Sequence, residues 1–139
     1  MIFLCEHWKE YKSSQLTQVE NLYITTKEKC YVLSCSAFDE DPVLCCGCSV
    51  LESNHEEADT RMLLHAKHVM GTNVNVIIRS PHTDVFILCV AMQKNLGSKD
   101  LFFMTGTGNK SRTVHINAVT VAMNEEFCRC LPGFHTFSG

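Results

Sequence analysis

The sequence has no apolar run long enough to cross a membrane. Its longest run, Val85 to Met92, falls far short of the roughly 20 residues that a membrane-spanning helix needs. A basic segment followed by an apolar stretch and a small-residue cleavage site is also missing at the start, so we expect no secretory signal peptide. We therefore expect no membrane partner.

An excess of basic residues is lacking too. Asp and Glu number 15 against 12 Lys and Arg, which gives a net charge of −3. A nucleic-acid partner would therefore need a local basic patch, because binding phosphates requires clustered cations. Low-complexity tracts and internal repeats are absent, and 45% of the residues are hydrophobic, as in ordinary globular proteins. At 139 residues the chain is expected to form a single domain with a buried core.

Cysteine is the residue type present in excess. An odd count of nine, with Cys5 and Cys89 inside apolar runs, argues against a closed disulfide framework. Free cysteine is a common small core residue in reducing compartments. The cysteines thus indicate an intracellular protein, in the nucleus or the cytoplasm.

Residues 1–52 predict a short helix followed by β-structure. Apolar and aromatic side chains recur at helical spacing over Ile2–Tyr11. Two β-prone runs, Leu22–Thr25 and Cys30–Cys35, flank a polar turn and predict a hairpin. A further short strand is predicted over Val43–Leu51.

From residue 53 onward, helices and strands alternate, which is typical of a parallel sheet with crossover helices. The predicted elements, in chain order, are a helix opened by Ser53-Asn54 and ending at Met70, a strand over Val74–Arg79, a helix over Asp84–Asn95 with Thr83 as its cap, a strand over Leu101–Thr105, a short strand over Val114–Ile116, and a helix over Asn117–Cys130 before a break at Pro132-Gly133.

Two polar clusters lie at the boundaries of these elements. The first places Glu57 and Asp59 on the opening turns of a helix, where the helix dipole alone favours acids. The second places Asp84 beyond the carboxyl end of a strand, the edge where ligands collect in α/β sheets, although Thr83 or Asp84 could instead simply cap the next helix. Residues two apart in a regular helix point about 200° apart. Glu57 and Asp59 reach one cleft only if Glu57 lies in a loosely wound first turn.

Three segments together carry a resemblance to known proteins: His55-Glu56-Glu57-Ala58-Asp59-Thr60-Arg61, Ser80-Pro81-His82-Thr83-Asp84-Val85-Phe86, and Leu131-Pro132-Gly133-Phe134-His135-Thr136-Phe137-Ser138-Gly139. The chain resembles an uncharacterised family of transposon-associated animal proteins over most of its length. More distantly, it is similar to the PIN-like and flap endonuclease superfamily. The resemblance implies an α/β fold with a three-layer core and a mostly parallel sheet, incomplete at both ends. Residues 1–52 would lead into a core at 53–139, the whole forming one truncated domain.

The resemblance also implies a metal-dependent nuclease site. Glu57 and Asp59 match the Glu-Ala-Glu motif of the superfamily, and Asp84 matches the second acid of its Asp-x-Asp motif. These residues would be both catalytic and metal-binding, with Mg²⁺ or Mn²⁺ as cofactor and DNA or RNA as partner. Such ions prefer carboxylate and water ligands, and hydrolysis with two ions needs several carboxylates around one cleft.

The sequence departs from the superfamily pattern at three places. His82 stands where the first acid of Asp-x-Asp would be, and it would have to serve as a metal ligand in place of that acid. The third motif ends at Gly139, before its Cys-Asp. The acid of the first strand has no better counterpart than residues 39–41. We therefore expect hydrolysis to be weakened or lost, and the alternative is a non-catalytic binding remnant of the same fold.

The cysteines and a basic loop offer further candidate sites. Cys30, Cys35, Cys45 and Cys48 could together form a structural zinc site, although the spacing of the first pair puts its members on opposite faces of a strand. Residues 106–112 form a polar loop after a strand and lack the spacing of a phosphate-binding NTPase loop. Lys110 and Arg112 in this loop could contact a nucleic-acid backbone, or the loop could simply be solvated. The histidine pair His65 and His68 shares one helix face, where a solvated or half-buried role competes with metal binding.

Overall fold

The computed structural model describes residues 20–34, 43–54, 58–70, 75–96 and 100–138. The chain divides into an N-terminal unit, Met1–Glu56, and a C-terminal unit, Glu57–Gly139, and each is described by itself. The predicted helix over Ile2–Tyr11 lies outside the described residues. The described part is an α/β structure with two three-stranded sheets.

The N-terminal unit is built on an antiparallel sheet with strand order β1-β2-β3. Its strands are β1 (Asn21–Thr26), β2 (Lys29–Ser34) and β3 (Leu44–Gly47). The predicted hairpin is confirmed, since β1 and β2 pair antiparallel. The strand expected within Val43–Leu51 is shorter than its range, because the chain turns into a 3₁₀ helix at Ser49–Leu51.

The C-terminal unit combines one sheet with four helices. Its sheet has the order β4-β5-β6. The elements in chain order are α1 (Ala58–Met70), β4 (Val76–Arg79), α2 (Thr83–Leu96), β5 (Leu101–Thr105), β6 (Arg112–His115), α3 (Ile116–Ala122) and α4 (Glu125–Ser138), with a 3₁₀ turn at Gly108–Lys110 between β5 and β6.

This sheet is mixed, which corrects the prediction of a mostly parallel sheet. β4 and β5 pair parallel, joined by α2 as the crossover helix. β5 and β6 pair antiparallel. The short polar connection after Thr105 decides the direction of β6, because a parallel return needs a crossover of about a dozen residues. The three-layer core is not supported by the described residues either.

The core of the C-terminal unit lies against one face of the sheet. Val76 and Ile78 of β4 are buried, and so are Leu101 and Phe103 of β5, whereas Ile77 is 59% exposed on the alternate face. The helices add side chains to the same cluster: Leu63, Ala66, Val85, Cys89, Val90, Leu96, Ile116 and Cys128. Because strand side chains alternate in direction, the helices cover the Ile78 face and leave Ile77 in water.

The C-terminal helices differ from their prediction. The helix expected over Asn117–Cys130 is two helices, and the second begins where the side chain of Asn124 accepts a hydrogen bond from the Phe127 N–H at 2.7 Å. That bond is a typical N-cap. The break expected at Pro132-Gly133 is wrong, since Pro132 lies inside α4. Proline lacks the N–H that would bond the Cys128 carbonyl, and the packing of Cys128 and Leu131 against the core offsets that loss.

Within the described ranges, no helix is both long and apolar enough to cross a membrane.

Candidate functional site

The structure brings Asp59 and Asp84 to one cleft. The cleft has a volume of about 450 Å³, and its wall is completed by side chains of α2 and α4: Ile87, Leu88, Pro132, His135 and Thr136. Both acids were predicted as site residues, and their meeting in one hollow is the geometric condition that a shared cation would need.

The two carboxylates reach this cleft from equivalent places in two helices. Asp59 is the second residue of α1, and Asp84 is the second residue of α2. Each therefore lies in a first turn, where the positive end of the helix dipole stabilises a negative charge. The Asp84 side chain is 63% exposed, so an ion from solvent can reach it.

His135 is a member of this cleft to which sequence reasoning gave no role. Its Nε2 lies 2.5 Å from Oδ1 of Asp84, which links α4 to the opening turn of α2. The two residues are 51 positions apart in the sequence. Because the sequence predicted that the helix ends before Pro132, helical spacing could not be used to place His135 on the same side as the buried residues. The imidazole fixes the orientation of the Asp84 carboxylate and occupies one of its oxygens.

In the part of the chain that the structure describes, the donor set is too small for an ion ligated mainly by protein. Among the described residues, no three His, Cys, Asp or Glu side chains are grouped closely enough to hold a metal ion. The predicted ligand Glu57 lies outside the described residues. Two carboxylates in an open cleft suit a hydrated Mg²⁺ or Mn²⁺, which keeps several water ligands. By themselves these two described side chains do not supply the further bridging carboxylates that a two-ion centre needs.

No family model matches this chain, and no curated protein and no solved structure matches it.

His82 does not reach the acidic cleft. It lines a separate hollow together with Thr83 and Phe86, while the cleft takes Asp84, Ile87 and Leu88 from the same helix. These two sets occupy different faces of the first turns of α2. The suggestion that His82 replaces a missing acid beside Asp84 therefore has no geometric support.

The zinc candidates are only partly brought together. Cys48 lies opposite Cys30, since its N–H donates to the Cys30 carbonyl at 2.8 Å. Cys45 pairs with Leu33, and its odd offset from Cys48 turns it toward the other face of the sheet. Cys35 lies outside the described residues. Burial raises the pKa of the Cys30 thiol.

The basic candidates lie apart from the acidic cleft. Lys110 is exposed at the end of the 3₁₀ turn. Arg112 opens β6 and lines the hollow that also contains His82. The loop predicted over residues 106–112 is thus a short turn that runs directly into a strand.

His65 and His68 lie on one helix face, as predicted, and His65 is half-buried. Burial, with smaller effects from His68 and Arg61, lowers the pKa of His65. The folded state favours the neutral form of His65, so its contribution to stability is fully present above the pKa of an unfolded histidine, near 6.5. That stability falls as the pH drops through the folded value, because the unfolded chain binds the proton more readily.

We expect the stability of the wild-type protein to fall between about pH 7 and pH 5 more steeply than that of His65→Gln. Thermal melts across this range, followed by circular dichroism, measure the difference. The exposed His82→Gln is the matched control and should keep the wild-type slope. Parallel slopes for wild type and His65→Gln would contradict the expectation.

Proposed function

We propose that the C-terminal unit is a nuclease-related domain that holds a hydrated divalent cation between Asp59 and Asp84 and binds nucleic acid, with hydrolysis weakened or lost. One observation carries the proposal: both carboxylates, from different helices, line a single open cleft. The parallel β4-α2-β5 arrangement, with Asp84 just after β4, is compatible with the PIN-like ancestry that the sequence motifs imply.

The expected activity follows from the size of the donor set. A bound Mg²⁺ or Mn²⁺ would supply positive charge for a phosphate and a more acidic water. Asp59 and Asp84 would orient that hydrated ion, and His135 would hold Asp84 in place. Lys110 and Arg112 would contact the nucleic-acid backbone through charge. Because only two described carboxylates meet, we propose binding as the main function and put hydrolysis second.

Mn²⁺ titration of the purified chain by calorimetry tests the metal site. Asp59→Asn and Asp84→Asn remove a ligand charge with little change in shape, so each should weaken Mn²⁺ binding by about tenfold or more, since even the outer partners of metal ligands contribute about that much. Asp100→Asn is the matched control, because Asp100 also pairs with a histidine, His115, and is also more than half exposed. Wild-type protein that binds no Mn²⁺, or aspartate variants that bind as tightly as the control, would refute the metal site.

A cleavage assay on branched and single-stranded DNA and RNA with Mn²⁺ tests the catalytic part. We expect slow or undetectable cleavage by wild type. Any cleavage that survives in Asp59→Asn and Asp84→Asn does not arise from this cleft.

Metal content after purification without chelators distinguishes the zinc-stabilised alternative. A stoichiometric amount of zinc, lost in Cys48→Ser and retained in Asp84→Asn, would favour that alternative.

A further inference from the structure

A second concave site lies at the other side of α2, where the parallel strands end. Two adjoining hollows of about 340 and 260 Å³ share Pro81 and Thr105. They sit beyond the carboxyl ends of β4 and β5, which is the edge of an open α/β sheet that typically accepts ligands. We name these two hollows together the carboxyl-edge crevice.

Two arginines flank the crevice. Arg79 is the last residue of β4 and pairs with Met104, while Arg112 is the first residue of β6 and pairs with Thr105. Because neighbouring strands are about 4.8 Å apart, the two arginine backbones lie roughly 10 Å apart with β5 between them. By strand alternation Arg112 lies on the face of Phe103, and Arg79 lies on the opposite face. Arg79 lines the first hollow and Arg112 lines the second, so the two arginines flank the end of β5.

Among the described residues, those that line the crevice carry positive charge without a compensating acid. They include Arg79, Arg112 and His82, and no Asp or Glu. Neither arginine forms an ion pair with a described carboxylate. An arginine left without an acidic partner at a concave site is available to an anionic ligand.

The remaining groups in the crevice are hydrogen-bond donors suited to an oxyanion. Thr83, Thr105 and Thr107, each of which carries a hydroxyl, line it. Thr83 is also the first residue of α2, a helix long enough for its dipole to add to the arginine charges. Guanidinium groups and hydroxyls together match the several oxygens of a phosphate better than the two of a carboxylate.

We propose that the carboxyl-edge crevice binds a phosphate group through Arg79 and Arg112. The phosphate belongs to a nucleic-acid backbone or to a small phosphorylated molecule. The site is separate from the acidic cleft, since α2 turns Thr83 and Phe86 toward the crevice and Asp84 and Ile87 toward the cleft. Phosphate binding here does not depend on a metal ion between Asp59 and Asp84, and Arg79 gains a role that its position in the sequence did not suggest.

Two probes are used in metal-free buffer: inorganic phosphate by calorimetry, and a labelled single-stranded oligonucleotide by fluorescence anisotropy. Arg79→Gln and Arg112→Gln should each reduce the affinity for the probe that binds by about tenfold. With the oligonucleotide, each substitution should also reduce the slope of log affinity against log salt by about 1. Both arginines are exposed, so the variants should fold, and circular dichroism checks this.

Arg129→Gln is the matched control, because it removes the same charge from an exposed position on α4. Asp100→Asn is the second control, since Asp100 is exposed and does not line the crevice, and it should bind both probes at least as well as wild type. The buffer holds no metal ion, so a failure of the metal site leaves this result readable. Loss confined to the Arg79 and Arg112 variants supports the crevice. Binding of the oligonucleotide alone identifies a nucleic-acid backbone, and binding of inorganic phosphate identifies a small ligand. Equal losses in all three arginine variants, or no binding of either probe by wild type, would overturn the proposal.

Discussion

Replacing Leu101 with alanine should lower the free energy of unfolding of the C-terminal unit by about 2–5 kcal/mol. Leu101 opens β5, the central strand of its sheet, and its side chain is 0% exposed. Its N–H also donates to the side chain of Asn117 at 2.9 Å, which fastens the start of the strand to α3. The lost apolar contacts and the cavity left behind both contribute to the expected effect, because a strand held on both sides cannot collapse into the space.

Urea unfolding followed by far-UV circular dichroism measures this change. Val121→Ala is the matched control, since Val121 is 86% exposed on α3 and alanine is the better helix former. The free energy of unfolding of the control should lie within about 0.5 kcal/mol of the wild-type value. A Leu101→Ala protein as stable as this control would mean that β5 is not the centre of the core.

Alanine at Gly106 should destabilise the C-terminal unit by about 2–4 kcal/mol. Gly106 has φ 79°, and a Cβ there would lie 2.4 Å from the carbonyl oxygen of Lys110. The left-handed backbone alone costs a residue with a Cβ about 1–2 kcal/mol. The close contact adds to this cost because the obstacle is backbone, which shifts only if the 3₁₀ turn opens.

Gly108 provides a comparison within the same turn. Its φ is 52°, but nothing lies within 4 Å of a Cβ built there. Alanine at Gly108 should therefore cost only the backbone strain of about 1–2 kcal/mol. Both variants can be compared by thermal and urea unfolding. If they are equally destabilised, the close approach of Lys110 to Gly106 does not exist in solution.

The local elements were largely predictable because their signals are short in sequence. Leu101–Thr105 was predicted with its observed bounds, since an apolar, aromatic run between turn residues has few alternatives to a strand. The helix expected to run to Met70 is observed in α1, which is described up to Met70. The hairpin of β1 and β2 followed from two β-prone runs around a polar turn.

The errors arose where a local preference met tertiary packing. Pro132 is a strong helix breaker by itself, yet α4 continues through it while Cys128 and Leu131 pack against the core. The sequence did not predict the break between α3 and α4. Asparagine also occurs in turns, so Asn124 by itself did not indicate that a new helix starts there. The antiparallel direction of β6 could have been predicted from the sequence, because the connection between β5 and β6 is too short for the crossover that a parallel pair needs.

By itself, the sequence determined the order and type of most elements and placed Asp59 and Asp84 at two helix starts. Those features depend on hydrophobic periodicity, caps and turns, which act over a few residues. Only the tertiary structure decided that these acids share a cleft with His135, that His82 faces elsewhere, and that Arg79 and Arg112 flank the end of one strand. Such meetings depend on how helices and strands far apart in sequence pack on a common core, and no local preference encodes that geometry.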